Sequence, residues 1–452
     1  MGDELTLEQM ARRTGEPEER LRQWRSLGLI GGDEGEGFRP EDVERTRLVQ
    51  SFLRRGIGLE TVVRAAEGGL LDRYVEYASP GGSARAYSLA EAAETIGLDL
   101  DLTRRLWEAA EVGERGEMCD EDDVSMLRYA KVALEAGFPE EALTQVLRVY
   151  GDALGRVAEA ESRLFHFYVH QRLKTAGLSG LELVDSVEAA GERINPLMEP
   201  AIRYFHRKAM TKAAREEMVR DLEEEAGLLE ETEVPGQLRA AIVFVDLSKF
   251  TSLAEAMGDV KAAEVLARFS NLVRDAVSRW EGRVVKQIGD AFMLVFPDPR
   301  SAVACALEVE RRASKEAQFP AARSGVHWGP VLFREGDYVG SNVNIASRLA
   351  TEAKRHQVLV TGAVRNAAKD LDDVKFARVG KRRLKGLADE VVLFEAQPST
   401  SEDEEKMIDV VCGMELRPAE VAARLSLEGQ ERAFCSDECL RQFVASPEKY
   451  GG

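Results

Sequence analysis

The chain lacks any long hydrophobic run. Nowhere do about 18 apolar residues follow one another, the length a membrane-crossing helix needs. Its start, MGDELTLEQM, is acidic and has none of the apolar core of an export signal. The expectation is a cytoplasmic protein with no membrane partner. Cysteine is scarce, with five residues at positions 119, 305, 412, 435 and 439. So few thiols, three of them in the tail, exclude a disulfide scaffold and read as a metal site. Surplus positive charge is also missing. Asp and Glu number 80 against 61 Lys and Arg, a formal net charge of −19. Such a chain does not coat nucleic acid as a whole, because phosphate contact needs a basic face.

At 452 residues the chain exceeds one ordinary core, so about three domains are expected. The most informative stretch runs from Ala240 to Phe296. AIVFVDLSKFT places Asp246 at the end of a buried-strand pattern. RVVKQIGDAFMLVF places Gly289-Asp290 between two β-rich halves, as at a hairpin tip. Two carboxylates at strand ends suit a hard divalent cation bound with a phosphate. Two unrelated turn aspartates are the plain alternative. Between the strands an amphipathic helix is expected from about Lys249 to Trp280, ended by Gly282.

VDLSKFT, VKQIGDAFM, GVHWGPV and GDYVGSNVNIASRL follow in that order. Together they resemble the catalytic domain of a class III nucleotide cyclase, over residues 237–397. The resemblance implies a ferredoxin-like βαββαβ domain within an α+β multidomain chain. It implies conversion of ATP to 3′,5′-cyclic AMP and diphosphate, with two Mg²⁺ or Mn²⁺ ions held by Asp246, Asp290 and the Leu247 carbonyl. Lys286 and Asp337 would read the purine and favour ATP over GTP. Asn344 would orient the ribose and Arg348 would bind phosphate. Lys385 is the expected triphosphate-binding lysine, although another register puts Leu387 there. In this family the site forms between two chains, so a homodimer is implied, one chain giving the aspartates and the other the purine pair, Asn and Arg.

The N-terminal part reads as all-α and repeats itself. LTLEQMARRTGEPEERLRQWRSLGL, within residues 1–80, returns as YSLAEAAETIGLDLDLTRRLWEAAEVG. Thr6 answers to Ser88, Gly15 to Gly97 and Trp24 to Trp107. The first copy resembles the winged helix-turn-helix of MerR-type regulators. Arg12, Arg13, Arg20, Arg22 and Arg25 surround its second helix, yet its wing loop is the acidic GGDEGEG, and Gln23-Trp24 stands where the family usually has a Tyr pair. A protein-interaction module fits better than a DNA reader. The alternative function is a MerR-like DNA-binding regulator that uses the cyclase domain as a nucleotide sensor. The second copy and the helices after it, residues 86–233, resemble the regulatory domain of autoinhibited, pH-responsive mycobacterial-type adenylate cyclases. His166 and His170, one helical turn apart, suit a metal or a proton, or are simply surface residues. Residues 207–233 read as a connecting helix.

After an acidic linker, residues 407–452 carry Val411-Cys412-Gly413-Met414, Phe434-Cys435, Cys439, Phe443 and Tyr450. This small cysteine-containing domain resembles the YHS and TRASH modules. Cys412, Cys435 and Cys439 suit Zn²⁺ or copper, with a fourth ligand open or external.

Overall fold

The computed structural model describes residues 5–31, 37–78, 87–110, 118–227, 234–387, 389–399, 406–427 and 429–450. They fall into two compact units, 1–230 and 231–452. Among the described residues no helix is long and apolar enough to cross a membrane.

The first unit holds the repeat. Thr6 opens the helix Leu7–Thr14 with a capping box: its hydroxyl accepts from the Gln9 N–H, and the Gln9 side chain accepts from the Thr6 N–H. Ser88 and Glu91 do the same for Leu89–Ile96. These pairs satisfy N–H groups that a helix start otherwise leaves bare. The next helix of each copy, Glu18–Ser26 and Leu100–Ala110, buries Trp24 or Trp107. Each copy has its own apolar core. Where a wing is expected, the first copy has a single bridge, Leu5 to Phe38. The second pairs Tyr87-Ser88 with Met118-Cys119. Residues 32–36 of the acidic loop lie outside the described residues. Arg12, Arg20 and Arg22 each pair with a glutamate four residues earlier, and Arg25 lies over the Phe38 ring.

The histidine pair departs from the expected α-helical turn. His166–His170 is a π-helical turn, and the two rings stack with centroids 4.7 Å apart. Burial lowers the pKa of His170. The helix Gly180–Glu225 runs 46 residues through Pro196 and Pro200. The expected continuation over 228–233 lies outside the described residues.

The second unit is built on one sheet of eight strands. These are β1 (Gln237–Leu247), β2 (Arg283–Ile288), β3 (Ala291–Phe296), β4 (Ala322–Arg334), β5 (Asp337–Val339), β6 (Val358–Thr361), β7 (Val374–Arg382) and β8 (Val391–Pro398). The order is β7-β8-β6-β4-β1-β3-β2, with β5 paired to β4. Only β4 and β6 run parallel. The run β4-β1-β3-β2 is the ferredoxin-like core. The helix expected from Lys249 to Trp280 is two helices, α1 (Phe250–Met257) and α2 (Asp259–Arg279). Gly258 separates them at φ +80°, a conformation a side chain resists. α3 (Pro299–Lys315) packs beside α2 under the sheet, with Phe269, Phe292 and Val303 buried between them. α4 (Ser341–Glu352) crosses the other face.

The tail belongs to the same unit. Met414-Glu415 pairs with Phe319-Pro320, and Cys412, Phe434 and Phe443 join the core under the sheet. A charged clamp seals the seam. Glu415 takes Arg355 at 3.1 Å, Lys406 at 3.4 Å and the His356 Nε2. His356 Nδ1 meets Glu310 at 2.7 Å. Hydrogen bonds to Glu310 and Glu415 raise His356 to about 9. Glu415 falls to about 2 even though burial opposes it, because His356 and Arg355 hold its charge. The His356 contribution is full below its ordinary pKa of 6.5 and is lost as pH rises through about 9. The Glu415 contribution is present above 4.5 and is lost as pH falls through about 2. Glu415→Gln should therefore destabilise the tail by on the order of 2 kcal/mol near pH 6. In a thermal melt the gap from the native chain should narrow, without closing, above about pH 9, the folded-state value of His356, because Arg355 and Lys406 still face Glu415 there.

Candidate active site

Asp246 is the last residue but one of β1, and its cross-strand partner on β4 is Arg323. Asp290 follows the Gly289 turn between β2 and β3, so a hairpin tip carries it to the same end of the sheet. The two carboxylates face each other, and burial first, then the neighbouring Asp246 carboxyl, pushes Asp290 up to about 7. N–H groups of Asp290 and Leu247 steady it from the other side. Arg323 donates to Asp246 Oδ2 from Nη2 at 2.6 Å and from Nε at 3.2 Å. Its Nη1 donates to the Thr351 carbonyl at 3.2 Å. Sequence reasoning missed Arg323. Its only sequence signal is its place at the head of the GVHWGPV strand, which means little until the strand register is known. Two oxygen-donor side chains this close, one of them already disfavoured as a charged group by the other, fit a hard divalent cation that would hold both charged.

Lys286 on β2 and Asp337 on β5 meet as an ion pair. The β4–β5 hairpin folds over the sheet face, where Tyr338 packs with Ile242 and Met293. Asp337 Oδ1 accepts from the Tyr338 N–H at 2.8 Å, and the Tyr338 hydroxyl accepts from Arg283 at 2.5 Å. The Lys286–Asp337 pair is thus braced by the Tyr338 backbone and by the Arg283–Tyr338 contact.

Asn344 and Arg348 lie one turn apart on α4, Asn344 exposed and Arg348 half-buried. Among the described residues neither side chain has a hydrogen-bond or ion-pair partner. Gly386 abuts the Arg348 guanidinium, 3.0 Å from where a Cβ would stand. Leu384 is buried and Leu387 packs with Ile345 and Val391, whereas Lys385, next in sequence to Gly386, is exposed.

The tail brings Cys412, Cys435 and Cys439 together, with Sγ···Sγ separations of 3.5 and 3.6 Å. The open fourth position expected from the sequence is corrected. Asp409 stands there, all four donor atoms lying within 4.8 Å of one another. Its carboxylate also accepts from the N–H groups of Val411 at 2.9 Å and Cys435 at 2.8 Å. Hydrogen bonds from Cys412 and Cys435 drive Cys439 down, to about 3, while Cys412 is pushed up. The cluster's spacing is near the roughly 3.8 Å that two sulfurs span around tetrahedral zinc with bonds of about 2.3 Å.

Residues 28–211 match the family described as adenylate cyclase regulatory domain, a span that runs through both helical modules. Residues 236–396 match the adenylate and guanylate cyclase catalytic domain. The pH-sensitive adenylate cyclase of Mycobacterium tuberculosis is 29% identical over 380 residues, covering 81% of this chain and 90% of its own. An uncharacterized protein of the same species is 30% identical over 362 residues, covering 78% of this chain and 90% of its own. An adenylate cyclase of Streptomyces griseus is 28% identical over 286 residues, covering 62% and 68%. With a regulatory and a catalytic match side by side, and relatives aligned along nine-tenths of their length, the chain belongs to the adenylate and guanylate cyclase family.

Proposed function

We propose that this adenylate cyclase closes ATP to cyclic AMP at a site shared by two subunits. One chain gives Asp246, Asp290 and the Leu247 carbonyl; the other gives Lys286, Asp337, Asn344, Arg348 and Lys385. One observation carries the reading. The acidic pair already has its counter-charge in Arg323, whereas Asn344 and Arg348 leave α4 without partners among the described residues. Each set is half of a site.

The chemistry follows from the donors. Adenine offers an acceptor at N1 and a donor at its amino group, which matches the Lys286 ammonium and the Asp337 carboxylate. Guanine offers the reverse at both places. Asn344 holds the ribose so that its 3′-oxygen faces the α-phosphorus. The new bond forms there, the bond from that phosphorus to the bridging oxygen breaks, and diphosphate leaves with the electron pair. The 3′-hydroxyl proton passes to solvent. Arg348 and Lys385 meet the charge that gathers on the phosphate oxygens. Two Mg²⁺ or Mn²⁺ ions, when bound by the aspartates, supply Lewis-acid polarisation and charge neutralisation. No covalent protein nucleophile is required, so most of the barrier reduction comes from position and charge.

The helical unit is the regulatory part, as the match over 28–211 supports. It sets how the two catalytic units meet, which makes subunit geometry the control point. The tail cluster Asp409, Cys412, Cys435 and Cys439 takes Zn²⁺ or copper, soft thiolates favouring both.

Asp290→Ala and Arg348→Ala chains should each be inactive alone. Mixed, they should recover up to about a quarter of native turnover, because half the pairs are mixed and each has one intact site; no recovery would count against a shared site. Lys286→Glu should lower kcat/KM for ATP by at least about 10²-fold and improve GTP relative to ATP, since it reverses the hydrogen-bond polarity offered to the base. Metal analysis of the purified chain should return about one equivalent of zinc or copper, lost in Cys435→Ser.

A further inference from the structure

The GVHWGPV strand contains a histidine to which the reaction assigns no task. His327 sits in β4, 8% exposed. Its Nε2 lies 2.8 Å from Asn342 Oδ1 and its Nδ1 2.9 Å from the Thr361 hydroxyl. The Asn342 amide has a fixed orientation, because its Nδ2 donates to the Pro330 carbonyl at 2.6 Å. Oδ1 must therefore accept, so the His327 proton is on Nε2. Thr361 donates to Nδ1, and the ring is neutral. Burial lowers its pKa and agrees with that assignment.

The partners matter more than the ring. Asn342 is in the first turn of α4, two residues before Asn344 and six before Arg348. Thr361 closes β6 and caps the short helix after it. Alternation along β4 puts Arg323, Gly325, His327 and Gly329 on one face, and that face carries α4. A Cβ at Gly325 would stand 2.3 Å from the Ala350 nitrogen and 2.5 Å from the Ala346 oxygen. One at Gly329 would stand 2.9 Å from Asn342 Cγ. Arg323 holds the far end of α4 through the Thr351 carbonyl. The two glycines let the helix lie close but give it no directional bond. Among these four, His327 is the one whose side chain bonds the first turn of α4, beside the Asn342 bond to the Pro330 carbonyl of the same strand.

We propose that His327 is a positioning residue for catalysis: as a neutral donor it locks the register of α4 on β4, and so the placement of Asn344 and Arg348. The proposal rests on the roles given to those two residues above. A helix free to slide by about 1 Å still binds nucleotide through other contacts but misplaces the groups that act on the reacting atoms, a loss of roughly 10²-fold.

The test uses the full-length chain, with kcat and KM for ATP in Mn²⁺ and a thermal melt of each variant. His327→Leu should lower kcat by about 30-fold or more with KM changed less than about threefold. His327→Gln keeps an N–H where Nε2 donates and should return kcat to within about fivefold of native. Asn342→Ala, which removes the partner from a half-buried site, should reproduce the His327→Leu defect even if that variant does not fold. The double variant should be no worse than Asn342→Ala alone, which already removes the His327 link together with the bond to the Pro330 carbonyl. Native kcat in folded His327→Leu or in Asn342→Ala would overturn the proposal. So would equal losses in Leu and Gln variants, additive losses in the double variant, or a fall in kcat that merely tracks the melting temperature. Asn344→Ala and Arg348→Ala run beside them. Native turnover in those two would instead overturn the assignment of α4 to the active site.

Discussion

The ladder between β1 and β4 pairs eleven residues, Gln237–Leu247 against Ala322–Leu332. Backbone hydrogen bonds set that register, and side-chain alternation then decides everything built on it. A slip of one residue would turn each side chain to the opposite face. Asp246 would lose Arg323, and α4 would meet bulky residues where Gly325 and Gly329 now let it approach. The central strands are buried on both faces, so such a slip would also expose apolar surface, and the hydrophobic effect holds the register. Chemistry at the rim of the sheet depends on packing at its middle.

Electrostatics at the strand end follow from the same ladder. Two carboxylates within hydrogen-bond reach repel each other when both are charged, and burial deepens the cost. The protein meets this in two ways: Asp290 is pushed up to about 7, and Arg323 is drawn across from β4. Both adjustments leave room for divalent cations to take over the compensation. Arg323 also spans from the acidic pair to the last turn of α4. One side chain therefore touches both the Asp246 end of β1 and the last turn of α4.

The tail shows why sequence-defined modules and packed units need not coincide. Its motif reads as a self-contained small domain, yet it adds a strand to Phe319-Pro320 and shares a core with the cyclase sheet. Glu415 is nearly buried and collects three cationic partners. Such a cluster gains little net stability over an apolar seam, because desolvation offsets its attraction. What it does give is a single docking position. The segment it fixes, Cys412 to Glu415, includes Gly413, which packs against Lys249 just beyond the Asp246 strand.

What was legible in the sequence was local. The capping boxes at Thr6 and Ser88 span three residues, and their glycine stops follow within the same helix. The strand-end aspartates and the Asn344–Arg348 pair sit in short motifs. The break at Gly258 was written in the sequence too, but an isolated glycine is often tolerated within a helix, and the apolar pattern reads across it. The π-turn at His166 left no sequence mark, since both helix types use the same residues. Sequence alone determined which chemical groups the chain carries, the order of its elements and the nucleotide-cyclase resemblance. Tertiary structure alone decided that Arg323 faces Asp246, that Asp409 stands with the three cysteines, and that His327 meets Asn342. The reason is physical. These contacts join residues 77, 26 and 15 apart in the chain, and only strand register and helix packing bring such distant groups within bonding distance.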